Sequence, residues 1–148
     1  MSSVVEQIAT GARSESEVWA RALRAAPAWE PGFGELVPEH LRVGLETVYE
    51  AYLVHYGTPR LFDATDGDEA VLLGDYLYAH GLVRIAEAGG VRAVAVLAAL
   101  ISRCAALRAD GRPGDGDAWV GAARELGGSF SDDDARRALA RHSDRVAA

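Results

Sequence analysis

Asp66-Gly67-Asp68-Glu69-Ala70-Val71-Leu72-Leu73-Gly74-Asp75-Tyr76-Leu77-Tyr78-Ala79-His80-Gly81-Leu82-Val83-Arg84-Ile85-Ala86-Glu87-Ala88-Gly89 is the longest well-punctuated helix signal in the chain. Thr65 or Asp66 can cap its start, because a short side-chain oxygen accepts from an orphan N–H of the first turn. Asp68 and Glu69 follow in that turn, where the helix dipole favours negative charge. Gly89 and Gly90 stop the helix, since glycine takes the left-handed closing conformation at little steric cost. Between these ends Val71 or Leu72, Tyr76, Leu77 and Val83 recur at helical spacing and predict a core-facing stripe. Gly74 and Gly81 share one face. They either let a second helix approach closely or clear a cavity for a ligand chain.

Working outward, the rest of the chain supplies helices to pack against this one. Val4, Val5 and Ile8 mark a short helix over Ser2 to Thr10. Ser14 with Glu17 reads as a capping box opening a helix through Ala26. Prolines and glycines make 27–37 an internal loop, with Trp29 and Phe33 pinning it. Pro38 opens a helix running to about Tyr56, with Leu41, Leu45, Val48, Tyr52 and His55 along its apolar stripe. Val91 to Arg108 is apolar on most sides, which predicts burial in a bundle or in a subunit interface. The turn-rich stretch 109–116 predicts a flexible loop. Asp117 then caps a short helix through Leu126, and a second capping box, Ser131 with Asp134, opens a last helix to about Val146. No sustained alternation predicts a strand. The fold class is therefore all-α: a helical bundle in one domain over 1–148.

The totals bound the function. At 148 residues the chain can bury a core. Every basic residue is Arg, so no lysine can form a Schiff base or serve a phosphate-binding loop. A net charge of -7 argues against a nucleic-acid partner. The single cysteine, Cys104, excludes an internal disulfide and a cysteine-rich zinc site. The longest apolar run, Ala93 to Ile101, is nine residues, where a bilayer span needs about 20. With no secretory signal pattern either, the expectation is a cytoplasmic protein with no membrane span.

Chemistry is sparse. Asp63, Asp66 and Asp68, with Glu69, cluster as a weak candidate for magnesium, because hard cations want grouped carboxylates. The spacing is not that of an EF-hand, and helix capping accounts for at least two of these residues. Asp132, Asp133 and Asp134 sit in a first turn, where acids belong anyway. His40, His55, His80 and His142 are scattered, with no metal-binding spacing between them.

Gly57-Thr58-Pro59-Arg60, a spacer, and then Leu73-Gly74-Asp75-Tyr76-Leu77-Tyr78-Ala79 resemble the trans-isoprenyl diphosphate synthases, or polyprenyl synthetases. In that family a Gly-x-Pro-Thr-type turn precedes a helix carrying Leu-x-Gly-Asp-Tyr/Phe-Leu-x-Ala. Tyr52-Leu53-Val54-His55 is similar to the segment just before the family's first aspartate-rich motif. The resemblance covers roughly Leu45 to Asp110. It implies a fold in part like an isoprenoid synthase and an isoprenoid-binding cavity with Tyr52, His55, Gly74, Asp75, Tyr78 and Gly81 as candidate lining residues.

The departures carry equal weight. Tyr56-Gly57 stands where the family has Asp-Asp-x-x-Asp. After Asp132-Asp133-Asp134 comes Ala135-Arg136, where the second motif wants a further Asp. The diphosphate-binding lysines have no counterpart. A reaction that depends on a magnesium–diphosphate cluster loses its main electrostatic support without those groups. The resemblance therefore implies a degenerate, non-catalytic accessory subunit or isoprenoid-chain binder, partnered with a catalytic prenyl synthase subunit and not self-sufficient as a prenyltransferase. The alternatives are a homodimeric helical module that joins through 91–107 and binds a small hydrophobic ligand or a protein partner, and a small magnesium-dependent enzyme using Asp63, Asp66, Asp68 and Asp75.

Overall fold

The computed structural model describes residues 3–63 and 66–146. Helices α1 (Val4–Glu15) and α2 (Glu17–Ala22) are followed by a loop containing one 3-10 turn (Gly34–Leu36). Then come α3 (Glu39–Tyr56), α4 (Gly67–Ala109), α5 (Asp115–Glu125) and α6 (Asp132–Val146). No strand occurs among the described residues; Leu23 and Phe62 form an isolated bridge between two loops. The fold class is all-α, as the sequence predicts.

The organising element is α3 rather than the stretch quoted above. Every residue from Gly44 to Leu53 is buried. One core lies on one flank of α3 and includes Phe33, Leu45, Tyr49, Tyr52, Leu97, Trp119 and Ala138. A second core joins Ile8, Ala12, Ala51, Phe62, Leu73 and Leu77 beneath α1. A helix buried all round ordinarily reads as apolar all round. Here Glu46, Thr47 and Glu50 are part of the buried surface, so hydropathy hides the central helix.

Helix α4 is divided at Gly90, whose φ of 74° and ψ of -169° are non-helical. The segment 67–89 runs antiparallel to α3: a Cβ at Gly74 would meet His55, at Gly81 Val48, and at Gly89 Leu41. The segment 91–109 returns alongside α3, from a cleft lined by Leu41, Gly89 and Ala93 to Arg108 over the Tyr52 and Tyr56 rings. The predicted stop at Gly89-Gly90 and restart at Val91 therefore correspond to a one-residue reversal with no loop. By length and mean hydropathy α4 reaches the range of a membrane-crossing helix, but this reversal lays its two segments side by side on α3.

Two boundaries near the N-terminus differ from expectation. Helix α1 continues to Glu15, and Ser16 rather than Ser14 caps the next helix by accepting from Val18 N. Ser3 caps α1; Ser2 and Thr65, two expected helix-start residues, lie outside the described residues. Near the C-terminus, α5 starts at Asp115, two residues before the expected cap at Asp117, because Gly114 at φ 115° turns the chain into the helix. The Ser131–Asp134 box forms as predicted: Ser131 Oγ accepts from Asp134 N, and Asp134 accepts from Ser131 N.

Candidate functional site

The residues expected to line an isoprenoid cavity lie close together but pack against one another. His55 stacks on Tyr78, ring centroids 5.3 Å apart, and its Nε2 lies 3.7 Å from Asp75. A Cβ at Gly74 would stand 2.4 Å from His55 Nε2, and one at Gly81 would stand 2.6 Å from a Val48 methyl. The small residues thus serve close helix approach, and the space they clear is filled by His55 and Val48. Tyr52 points away from this group, into the polar cluster described below.

The weak metal candidates are engaged separately. Asp63 pairs with Arg24 at 3.1 Å. Asp66 caps α4 by accepting from Glu69 N at 2.7 Å. Asp68 is exposed in the first turn. Among the described residues no three His, Cys, Asp or Glu side chains converge as a metal site. Asp133 and Asp134 pair with Arg136 and Arg137 on their own helix.

Two buried polar clusters on α3 are absent from the sequence reading. In the first, Arg60 Nε donates to Glu50 at 2.9 Å and its Nη1 donates to Glu46 at 3.0 Å. Gly32 N donates to both Glu46 oxygens, and Leu61 N donates to Glu50. The guanidinium lies 4.1 Å from the Trp29 ring centroid. Burial pushes the Glu46 carboxyl above its ordinary range, against the pull of Arg60. A buried charge survives only when paired and hydrogen-bonded, and here every donor and acceptor also holds a loop. The sequence signal is two acids four apart on a helix, set among Leu45, Val48, Tyr49 and Ala51, with one arginine just beyond its end.

The second cluster is centred on Asp115 Oδ2. It accepts from Tyr52 Oη at 2.6 Å, from Arg108 Nη2 at 2.8 Å and from His142 Nε2 at 2.9 Å. An ionised carboxylate only accepts, so His142 Nε2 carries the hydrogen and Nδ1 accepts from Tyr49 Oη at 2.8 Å. Burial alone would raise the Asp115 pKa; the hydrogen bonds from Tyr52, His142 and Arg108, with the charge interaction with His142, hold it down to about 2. Burial lowers the His142 pKa, outweighing Asp115.

This order of groups, carboxylate to imidazole to hydroxyl, matches that of a nucleophile relay. Its last member is out of reach: Tyr49 is 1% exposed, packed against Phe33 and Trp119, and burial drives its pKa well up. Cys104 nearby is buried, and burial pushes its thiol up to about 12. The cluster therefore anchors α5 and α6 to α3, with the Tyr49 hydroxyl and the Cys104 thiol buried.

The exposed surface is unusual on α4. Four of the five large hydrophobics exposed among the described residues, Val71, Leu72, Val83 and Val91, belong to it, with Val91 87% exposed. In the first segment Leu72, Ala79, Val83 and Ala86 share the outward face. In the second, Val91, Ala95, Ala98, Ser102 and Ala105 do so, opposite the buried Ala93, Leu97, Leu100 and Cys104. The expectation of burial on most sides is met within this chain on one side only.

No known protein family, curated protein or solved structure matches this chain.

Proposed function

We propose that this chain is a helical docking subunit, an accessory to a larger assembly, that works through the outward face of α4 and turns over no substrate of its own. One observation carries the reading: two antiparallel helical segments present largely apolar outward faces that no described residue covers. Soluble surfaces rarely leave such faces bare unless a partner uses them.

The polar clusters support the same conclusion, because their atoms are committed to holding α3, the loops and α6 together. The partner in the simplest form is a second copy; in the form the resemblance suggests, it is a catalytic prenyl synthase subunit. Binding of an isoprenoid chain between the helices has less support, because His55 and Val48 fill the space at Gly74 and Gly81.

The test is native mass spectrometry of protein purified from its own source, beside the double variant Leu72→Glu/Val83→Glu. The expected result is an oligomer or heteromer that the variant loses while its helical circular dichroism stays unchanged. A monomer in both would sink the docking reading. A heteromer with a prenyl synthase whose product lengths and rates are the same with and without this chain would sink the isoprenoid form alone.

A further inference from the structure

Three side chains on successive turns of α4 face α1: Tyr76, His80 and Arg84. The Tyr76 and His80 rings stack with centroids 5.5 Å apart. Arg84 Nη2 donates to the Gln7 carbonyl at 3.0 Å. The other inward polar atoms of this row, Tyr76 Oη, His80 Nε2 and Arg84 Nε, are buried with no hydrogen-bond partner among the described residues. Native proteins seldom leave such atoms unpaired, and of the three Arg84 Nε in particular calls for an acceptor. Beside them a cleft of about 280 Å³ opens at the surface, lined by Gln7, Thr10, Gly11, His80 and Arg84.

The chemistry of the missing partner follows from the row. Arg84 Nε can only donate, while the tyrosine hydroxyl and the imidazole can donate. The occupant must therefore present acceptors. Among the described residues no carboxylate lines the cleft, in a chain whose net charge is -7. Glu15 and Glu87 act on His80 by charge, but both are exposed outside the cleft. Arg84 thus offers a local positive charge with a planar donor edge, which suits an oxyanion better than a neutral molecule.

We propose that the seam between α1 and α4, centred on Arg84 and His80, binds a small oxyanion such as a phosphate or carboxylate group. Residues of the outward α4 face take no part, so the site stands or falls independently of the docking reading. Burial and Arg84 hold the His80 pKa below its ordinary value. A bound anion favours the imidazolium and raises that pKa, which gives a readout at a single residue.

The experiment is an NMR titration of the His80 ring signals in the full chain, with inorganic phosphate and, separately, acetate at constant ionic strength. The expected result is a saturable shift in the millimolar range, an upward move of the His80 titration on saturation, and loss of saturation in Arg84→Gln. Arg84→Lys keeps the charge without the fork and should bind roughly tenfold more weakly, a difference of about 1.4 kcal/mol. Should Arg84→Gln unfold, the comparison of Arg84→Lys with the unaltered chain carries the test. The stronger of the two probes names the group. No saturation with either, or equal affinity in the variants, overturns the proposal.

Discussion

Tyr49 Oη and His142 Nδ1 lie 2.8 Å apart across 93 residues of sequence. With Asp115 on the other imidazole nitrogen, this contact ties the last helix to the middle of α3. The His142 pKa is lowered in the fold, so the unfolded chain binds the extra proton first. Its contribution is whole above the unfolded value of about 6.5 and is lost as pH falls below it. Asp115, lowered from 3.8 to about 2, adds stability above its unfolded pKa that is lost as pH falls toward 2. Denaturant midpoints should therefore be flat above neutrality, decline below about pH 6.5 and decline again below about pH 4. His142→Gln should shrink the upper decline, leaving the share of His80, whose pKa the fold also lowers; an unchanged profile in that variant would contradict the assignment.

Arg60→Ala should be among the most damaging single changes. It leaves Glu46 and Glu50 buried without their shared cation and releases the contact with the Glu30 carbonyl. Breaking a buried pair by removing one partner costs about 3–5 kcal/mol. Urea unfolding monitored by circular dichroism measures it. A loss under about 1 kcal/mol, the range of exposed pairs, would show that water reaches the site.

Gly90→Ala tests the reversal in α4. Nothing lies within 4 Å of a Cβ built there, so any cost is conformational. Its φ of 74° and ψ of -169° belong to a region essentially reserved for glycine. The expected loss is about 1–3 kcal/mol with no change in any contact. A neutral result in thermal melting would mean that the two segments can join at another angle.

Gly81→Ala and Gly74→Ala should separate. At Gly81 the added methyl meets a Val48 methyl at 2.6 Å and the Val48 backbone nitrogen at 3.0 Å. Overpacking of this kind costs about 1–3 kcal/mol. At Gly74 the three nearest atoms all belong to the His55 imidazole, the end of a partly exposed side chain rather than backbone. Melting temperatures should fall more for Gly81→Ala; the reverse order would mean that His55 is fixed.

The helices were legible wherever local chemistry decides them. Capping at Asp66, the proline start of α3, the Ser131–Asp134 box and the break at Gly90 each involve residues within a turn of one another. Burial was less legible. Alanines in 91–109 score as core yet face outward, whereas Glu46 and Glu50 score as surface yet lie in the centre. Their partner Arg60 lies ten residues past Glu50 and fourteen past Glu46, beyond a helix end that periodicity cannot see across. Of the candidate lining residues, His55, Gly74, Asp75 and Tyr78 do meet. Tyr52 instead turns to Asp115, a residue the sequence places in a loop, and the pairing depends on where α5 comes to rest.

Helix α6 reaches further than any other element. Arg141 donates to the Pro31 carbonyl, Arg145 donates to the Ala28 carbonyl, and Thr58 N donates to the Arg145 carbonyl. Each contact closes a chain loop of dozens of residues, which carries an entropy cost that nearer pairings such as α3 with α4 do not. As the chain leaves the ribosome, α3 and α4 can pair while α6 is still being made, and domains generally mature in that direction. The loop around Trp29 is then gripped first by Arg60 and closed over only later, by a helix translated about a hundred residues after it.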